Sequence, residues 1–390
     1  MSQAAQTFYG GPIFDGRRLR DGAFVTVENG RVTAVGATTD WTRSAEDVDL
    51  RGDILSLGYV DLQVNGGGGI MLNTDPSVET IATIARAHRA LGVTQLLPTL
   101  ITDSHDTTRR AIAAAIAATK AGVPGVVGLH LEGPHLSVAR KGAHDASLIR
   151  PMDRGDLDEL LDAARQLPCL KVTVAPESVS TDQVAELVRG GVLVSLGHSD
   201  ADFDTCQRYF AAGARCATHL FNAMSQIGNR APGLAGATLA TQGVSAGIIA
   251  DGVHVHPEVM KIAWKAKTGP GELFLVSDAM AVAGTDIEEF ELGRRKIHRR
   301  NGELRLTDGT LAGADLAIST AVSVLANEVG VPLEDALGAA TRAPAELCGL
   351  PSPLLEAGTT PSNTLIRIKP DLSAASPLVP WGALSEPVAR

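Results

Sequence analysis

No stretch of about 18 apolar residues, the length a membrane-spanning helix needs, occurs anywhere in this chain. The opening residues, MSQAAQTFYGGPIFDG, do not join a basic segment to a long apolar one. A cytoplasmic location with no membrane partner is the expectation. Cysteine is also scarce. Cys169, Cys206, Cys216 and Cys348 lack the short paired spacing of a zinc knuckle or a redox motif, so free buried thiols in a reducing compartment are expected. Positive charge is outnumbered, with 34 Lys and Arg against 44 Asp and Glu for a net charge of -10. No basic field exists to recruit nucleic acid, and an anionic small molecule would need positive groups placed locally. Internal repeats and low-complexity linkers are absent as well, so any small second domain should be assembled from both chain ends.

What is present suits a large enzyme-sized core, since 44% of the 390 residues are hydrophobic. The first 55 residues read as short strands, and FVTVENGRVTAVG places Asn29-Gly30 between two alternating runs as a tight hairpin would. From about Leu57 short apolar runs alternate with alanine-rich helical stretches, the pattern of parallel strands joined by helical crossovers. Eight candidate strands follow: GYVDLQVNG, TQLLPTL, VVGLHLEGP, LKVTVAPE, VLVSLGH, CATHLFN, SAGIIADGVHV and ELFLVSDAM. Helical segments such as SVETIATIARAHRALG and TDQVAELVRGG lie between them, several closed by a glycine able to take a left-handed cap. The fold expected is α/β, a (β/α)8 TIM-type barrel over residues 56–348. A β hairpin around Asn301-Gly302 interrupts it near 290–312, and a helix over Ala317–Val329 closes it. Residues 1–55 and 349–390 would form a small accessory β-sandwich, the strand NTLIRIKP returning to the N-terminal sheet.

Glu132, His198, His219 and Asp278 each fall at or just past the carboxyl end of a separate predicted strand, and in a barrel those ends share one mouth. Any one of them alone would be read as a satisfied core or surface group. Four at equivalent positions point to one site, because buried ionisable groups are costly unless paired or coordinated. A carboxylate and two imidazoles have the composition of an open catalytic metal centre, three protein ligands leaving a fourth position for water. One divalent ion is expected, zinc by default, with iron, manganese and cobalt compatible with the same ligands.

The ordered segments GYVDLQVNG, GLHLEGP, KGAH, LGHSD, THLFNAM, PGLAGA, IADGVHVHP, LVSDAM and GTLAG, from about Leu57 to Leu347, resemble those of the N-acetylglucosamine-6-phosphate deacetylases of the amidohydrolase superfamily. The resemblance implies hydrolysis of N-acetylglucosamine 6-phosphate to glucosamine 6-phosphate and acetate, a step of amino-sugar catabolism and cell-wall recycling. It implies metal ligands at Glu132, His198 and His219, a general base at Asp278, and His144 facing the acetyl carbonyl. Substrate contacts would come from Ala143, Asn222, Ala223, Arg230, His254 and the loop Leu311, Ala312 and Gly313. Of the pair His254 and His256 on one face of the seventh predicted strand, His254 is taken as a phosphate contact and His256 as structural. A homodimer is implied, with Arg230 or His254 reaching a neighbouring site.

Many members of the superfamily carry His-x-His on the first strand, where this chain has Gln63-Val64-Asn65. Amides are poorer ligands than imidazoles for such cations, so a single ion is expected, with Gln63 bonding water beside it. The fourth strand ends in TVAPE, without a bridging lysine. The competing readings are an N-acetylgalactosamine-6-phosphate deacetylase or another amidohydrolase, and a noncatalytic sugar-phosphate binder.

Overall fold

The computed structural model describes residues 5–293, 295–351 and 354–384. Eight parallel strands form its centre: β1 (Tyr59–Val64), β2 (Val93–Ile101), β3 (Leu129–Glu132), β4 (Leu170–Val174), β5 (Leu193–Leu196), β6 (Cys216–Ala217), β7 (Ser245–Ile248) and β8 (Leu273–Leu275). They pair in sequence order. A parallel bridge between Val64 and Ala279 closes the ring, and beside it the Asp278 amide donates to the Gln63 carbonyl at 3.0 Å. Eight helices return the chain between strands: α1 (Val78–Ala90), α2 (His105–Lys120), α3 (Arg154–Ala164), α4 (Thr181–Arg189), α5 (Phe203–Ala211), α6 (Gly233–Ala240), α7 (Pro257–Ala266) and α8 (Ile318–Val324). This is the (β/α)8 barrel expected from the alternation of patterns.

Local chemistry explains the helix ends. Ser180 caps α4 by accepting from the Gln183 amide while the Gln183 side chain accepts from the Ser180 amide, and Val184 and Leu187 bury its apolar face. Beyond the helices, Gly92, Gly122, Gly191 and Gly213 take φ of 89°, 70°, 90° and 110°, the left-handed exits their positions suggested. Inside the barrel one layer is polar. The Thr173 hydroxyl lies 2.7 Å from both His130 Nε2 and the Thr218 hydroxyl, which in turn lies 2.6 Å from Ser195.

Two further sheets come from the flanks. One has four strands from the N-terminal segment, including the hairpin Ala23–Glu28 and Arg31–Ala37 around Asn29-Gly30. The other has five, in which Leu365–Ile368, from the predicted NTLIRIKP strand, pairs antiparallel with Ile54–Leu57. Phe8, Val25, Leu55, Leu57 and Leu365 share an apolar cluster between the sheets, which makes them an accessory sandwich.

Three details depart from the patterns read along the chain. The insertion after β8 is three-stranded, Glu289–Leu292, Arg295–Arg300 and Glu303–Leu306, because EFEL supplies an additional pairing edge. α8 runs on into a π-helical turn, Leu325–Val329, that ends at Gly330 with φ 80°. Residues 251–255 are not strand, and His254 and His256 share no strand face. The Asp251 carboxylate accepts from the Val253 and His254 amides and turns the chain, while His256 caps α7 by accepting from the Glu258 amide. All four cysteines are buried and free, with Cys169 Sγ 2.9 Å from Cys348 Sγ.

Candidate metal centre and active-site cavity

Glu132 ends β3, His198 and His219 lie two residues beyond β5 and β6, and Asp278 lies three beyond β8. The last three take positive φ, 47°, 29° and 49°, uncommon for residues with a Cβ. This left-handed turn re-aims each side chain into the mouth at the point where the strand stops, a strain of the kind that gathers at functional sites.

Glu132 Oε1 lies 3.2 Å from His198 Nε2 and 3.0 Å from His219 Nε2, and the two ring nitrogens are 3.1 Å apart. Among the described residues these three form the group able to hold a metal ion, their ligand atoms all lying within 4.8 Å of one another. The tautomer of His198 supports that use. Its Nδ1 lies 2.8 Å from the Arg140 carbonyl, which can only accept, so Nδ1 carries the proton and in the neutral ring the Nε2 lone pair faces Glu132 and His219. Lone pairs converging on one point are what a cation satisfies, so the donor set fits one divalent ion. Burial raises Glu132, but the His198 and His219 imidazoles beside it outweigh this and hold the carboxyl well below its usual range.

Asp278 stands beside this group under different constraints. Its Oδ1 accepts from Asn65 Nδ2 at 2.7 Å and from Gln63 Nε2 at 3.1 Å, and the same Gln63 nitrogen lies 3.1 Å from Glu132 Oε1. Burial, then the Glu132 charge, raise the Asp278 carboxyl above its ordinary value, which favours its holding a proton. Below it Asp61, fully buried, is pushed up to about 7 by desolvation.

His144 reaches the cluster from the loop after β3, with Nε2 3.8 Å from Glu132 Oε2. The Thr102 amide donates to its Nδ1 at 3.3 Å, so Nδ1 is the acceptor and Nε2 bears the hydrogen. Burial, aided by His198, lowers this imidazole to about 3, and the ring is neutral.

These groups line a cavity of about 510 Å³ at the carboxyl ends of the strands, where barrel active sites are found. Of the residues expected to contact substrate, Ala143, His144, Asn222, Ala223, His254, Leu311 and Gly313 line it. His254 is oriented by Asp251, whose Oδ2 lies 2.6 Å from its Nδ1. Ala312 is buried behind the wall, its amide donating to the Leu304 carbonyl at 3.0 Å. Gln63 is likewise buried and bonds two carboxylates directly. Arg230 is exposed and does not line the cavity of its own chain. A second cavity of about 570 Å³ opens near the start of β8, where Arg342 grips Glu272 at 2.6 and 2.8 Å.

Residues 54–374 match the amidohydrolase family. This chain belongs to the amidohydrolase family. Like the family, it is a metal-dependent hydrolase acting on an amide bond, and the cluster at Glu132 is its possible metal site. An N-acetylgalactosamine-6-phosphate deacetylase from Shewanella sp. (strain ANA-3) is 39% identical to this amidohydrolase over 344 residues, covering 88% of this chain and 86% of that protein. The N-acetylglucosamine-6-phosphate deacetylase of Pasteurella multocida superposes with a TM-score of 0.88 at 33% identity, over 95% of this chain and 97% of that one. A mutant of the Mycobacterium smegmatis enzyme in complex with N-acetyl-D-glucosamine-6-phosphate superposes with a TM-score of 0.87 at 31% identity, over 96% and 97%.

Several cavity residues of this amidohydrolase escaped the sequence reading. Asn65 carried a usable signal, since it stands one residue past the end of β1 and two from Gln63. Thr310 stands in GTLAG beside the expected contact Leu311, whereas Arg305 carried no signal, because the insertion after β8 brings it to the rim from a segment read only as a hairpin.

Proposed function

We propose that this amidohydrolase removes the acetyl group of N-acetyl-D-glucosamine 6-phosphate, giving D-glucosamine 6-phosphate and acetate. The observation that carries the reading is the meeting of Glu132, His198 and His219 at one point, next to a carboxylate held separately by two amides. Glu132, His198 and His219 would hold one divalent ion, zinc by default. Bound there, the ion supplies a water of lowered pKa and withdraws charge from the carbonyl. The other roles belong to the chain. Both amide donors of Gln63 and Asn65 land on Asp278 Oδ1, which directs a proton to Oδ2. Asp278 takes that proton from the water whose oxygen attacks the acetyl carbon, and returns it to the sugar nitrogen as the C–N bond breaks. His144 Nε2–H donates to the carbonyl oxygen as it becomes negative, an interaction worth more in the transition state than in the ground state.

His254, Asn222, Ala223 and the loop Leu311 to Gly313 are assigned to the sugar phosphate. Arg230 is assigned there as well, from a second subunit of a homodimer, since it stands outside its own cavity. We place residues 1–55 and 349–390 in the accessory domain, residues 56–348 in the barrel, and the enzyme in the cytoplasm. A second reading, the galactosamine epimer as substrate, is favoured by the Shewanella relative at 39% identity.

One experiment tests cofactor and substrate together. The protein is stripped with a chelator, restored with zinc, iron, manganese or cobalt, and assayed for acetate release from both sugar phosphates and their unphosphorylated forms. Turnover should vanish on stripping and return at about one ion per chain. Faster release from the galactosamine epimer would replace the substrate, and turnover by metal-free protein would remove the mechanism.

A further inference from the structure

His144 is the one reacting group that no barrel strand positions. It sits in the loop after β3, where the Arg140 carbonyl is tied to His198, the His144 amide donates to the Lys141 carbonyl at 3.0 Å, and the His144 ring is tied to Thr102. Between them the chain passes Gly142 at φ 54° and then Ala143. The Ala143 carbonyl accepts from Arg295 Nη2 at 2.6 Å. Arg295 belongs to the three-stranded insertion after β8, about 150 residues away in sequence. A charged donor on a carbonyl makes one of the stronger hydrogen bonds available. The insertion is itself firmly seated. Arg299 bonds Asp315 and the Thr285 carbonyl, each at 2.7 Å, and Ile297, Leu304 and Leu306 form an apolar cluster with Met280 against which Ala143 packs.

We propose that Arg295 is a positioning residue that sets His144 for the reaction: by gripping the Ala143 carbonyl from the insertion, it holds the loop so that His144 Nε2–H meets the acetyl oxygen. The assignment rests on the role given to His144 above. A donor displaced by about 1 Å loses much of its effect on the transition state, while the sugar phosphate, held by other residues, still binds.

The test is a double-mutant cycle in metal-replete protein with N-acetylglucosamine 6-phosphate, using Arg295→Met, His144→Gln and the pair, with Tm and metal content measured for each. Arg295→Met should lower kcat on the order of tenfold with KM changed by less than about threefold. In the His144→Gln background the same change should alter kcat by less than about twofold. Equal losses in both backgrounds, or a rise in KM alone, would overturn the proposal. Should Arg295→Met melt early, Arg295→Gln, which keeps a polar side chain there, takes its place in the cycle. Hydrogen–deuterium exchange over residues 138–148 supplies a readout without turnover: faster exchange in the Arg295 variant supports the proposal, and unchanged exchange sinks it. Wild-type protein that releases no acetate would instead fail the functional reading, leaving exchange to decide the role of Arg295.

Discussion

His130 and Glu132 stand two residues apart on the same face of β3, and both are buried, yet they belong to regions with opposite tasks. His130 lies in the middle of the barrel, where the hydroxyls of Thr173 at 2.7 Å and Thr99 at 3.3 Å satisfy both ring nitrogens. Burial, then the nearby Lys171, push its imidazole well below the ordinary value, so it is a neutral structural group. One layer higher Glu132 is ionised, and its oxygen converges with the facing ring nitrogens of His198 and His219 on a common point. Depth in the wall therefore says little about function. What separates the layers is whether each polar atom is completed by the wall itself or left directed at something the wall does not contain.

The largest effect that would sharpen this contrast is expected for Asp278→Asn, which should cut acetate release by at least about a thousandfold while metal stays bound. In the wild type, kcat/KM should fall with acid at a pH above the usual carboxylate value of 3.8, because Asp278 is raised and only its ionised form accepts a proton. Retained turnover in metal-loaded Asp278→Asn would take the base away from the mouth. Glu132→Gln comes next: metal content by elemental analysis should fall, with affinity weakened by about a hundredfold or more.

His130→Leu tests the other layer. It should lower Tm by a few degrees, roughly 1–3 kcal/mol for the two lost bonds to Thr173 and Thr99, while turnover per bound metal changes little. A loss of turnover as deep as that of Asp278→Asn would erase the distinction between layers. A further effect, read in the pH dependence of stability and not in turnover, is expected at Asp61. Its folded-state value near 7 lies above the unfolded 3.8, so the folded chain keeps a proton that the unfolded chain has lost between those limits. Stability from this group is present below about pH 4 and declines as pH rises to about 7. Denaturant melts of Asp61→Asn should lack that part of the slope, and an identical slope would show that Asp61 does not titrate there.

The barrel and the residues that stand at its strand ends were legible because they depend on local information. Strand and helix periods, glycine exits and the Asn-Gly turns are written in neighbouring residues, and Glu132, His198, His219 and Asp278 could be placed by counting to strand ends. The faces of His254 and His256 were misjudged because Asp251 captures two backbone amides and breaks the alternation that strand counting assumes. Arg230, expected at the substrate, lies outside the cavity of its own chain. Arg295 left no trace, since its acceptor is a carbonyl about 150 residues away and any residue type presents a carbonyl.

By itself the sequence determined which elements form, in what order, and which side chains stand where each strand stops, since short-range hydrogen bonding and apolar spacing decide these. Only the tertiary structure decided how those side chains are held: Gln63 of β1 and Asn65 just past it meet Asp278 because the ring closes there, and the Arg140 carbonyl sets the tautomer of His198 because a loop from β3 crosses β5. Orientation and protonation are properties of contacts between distant segments, and such contacts exist only once the chain has closed on itself.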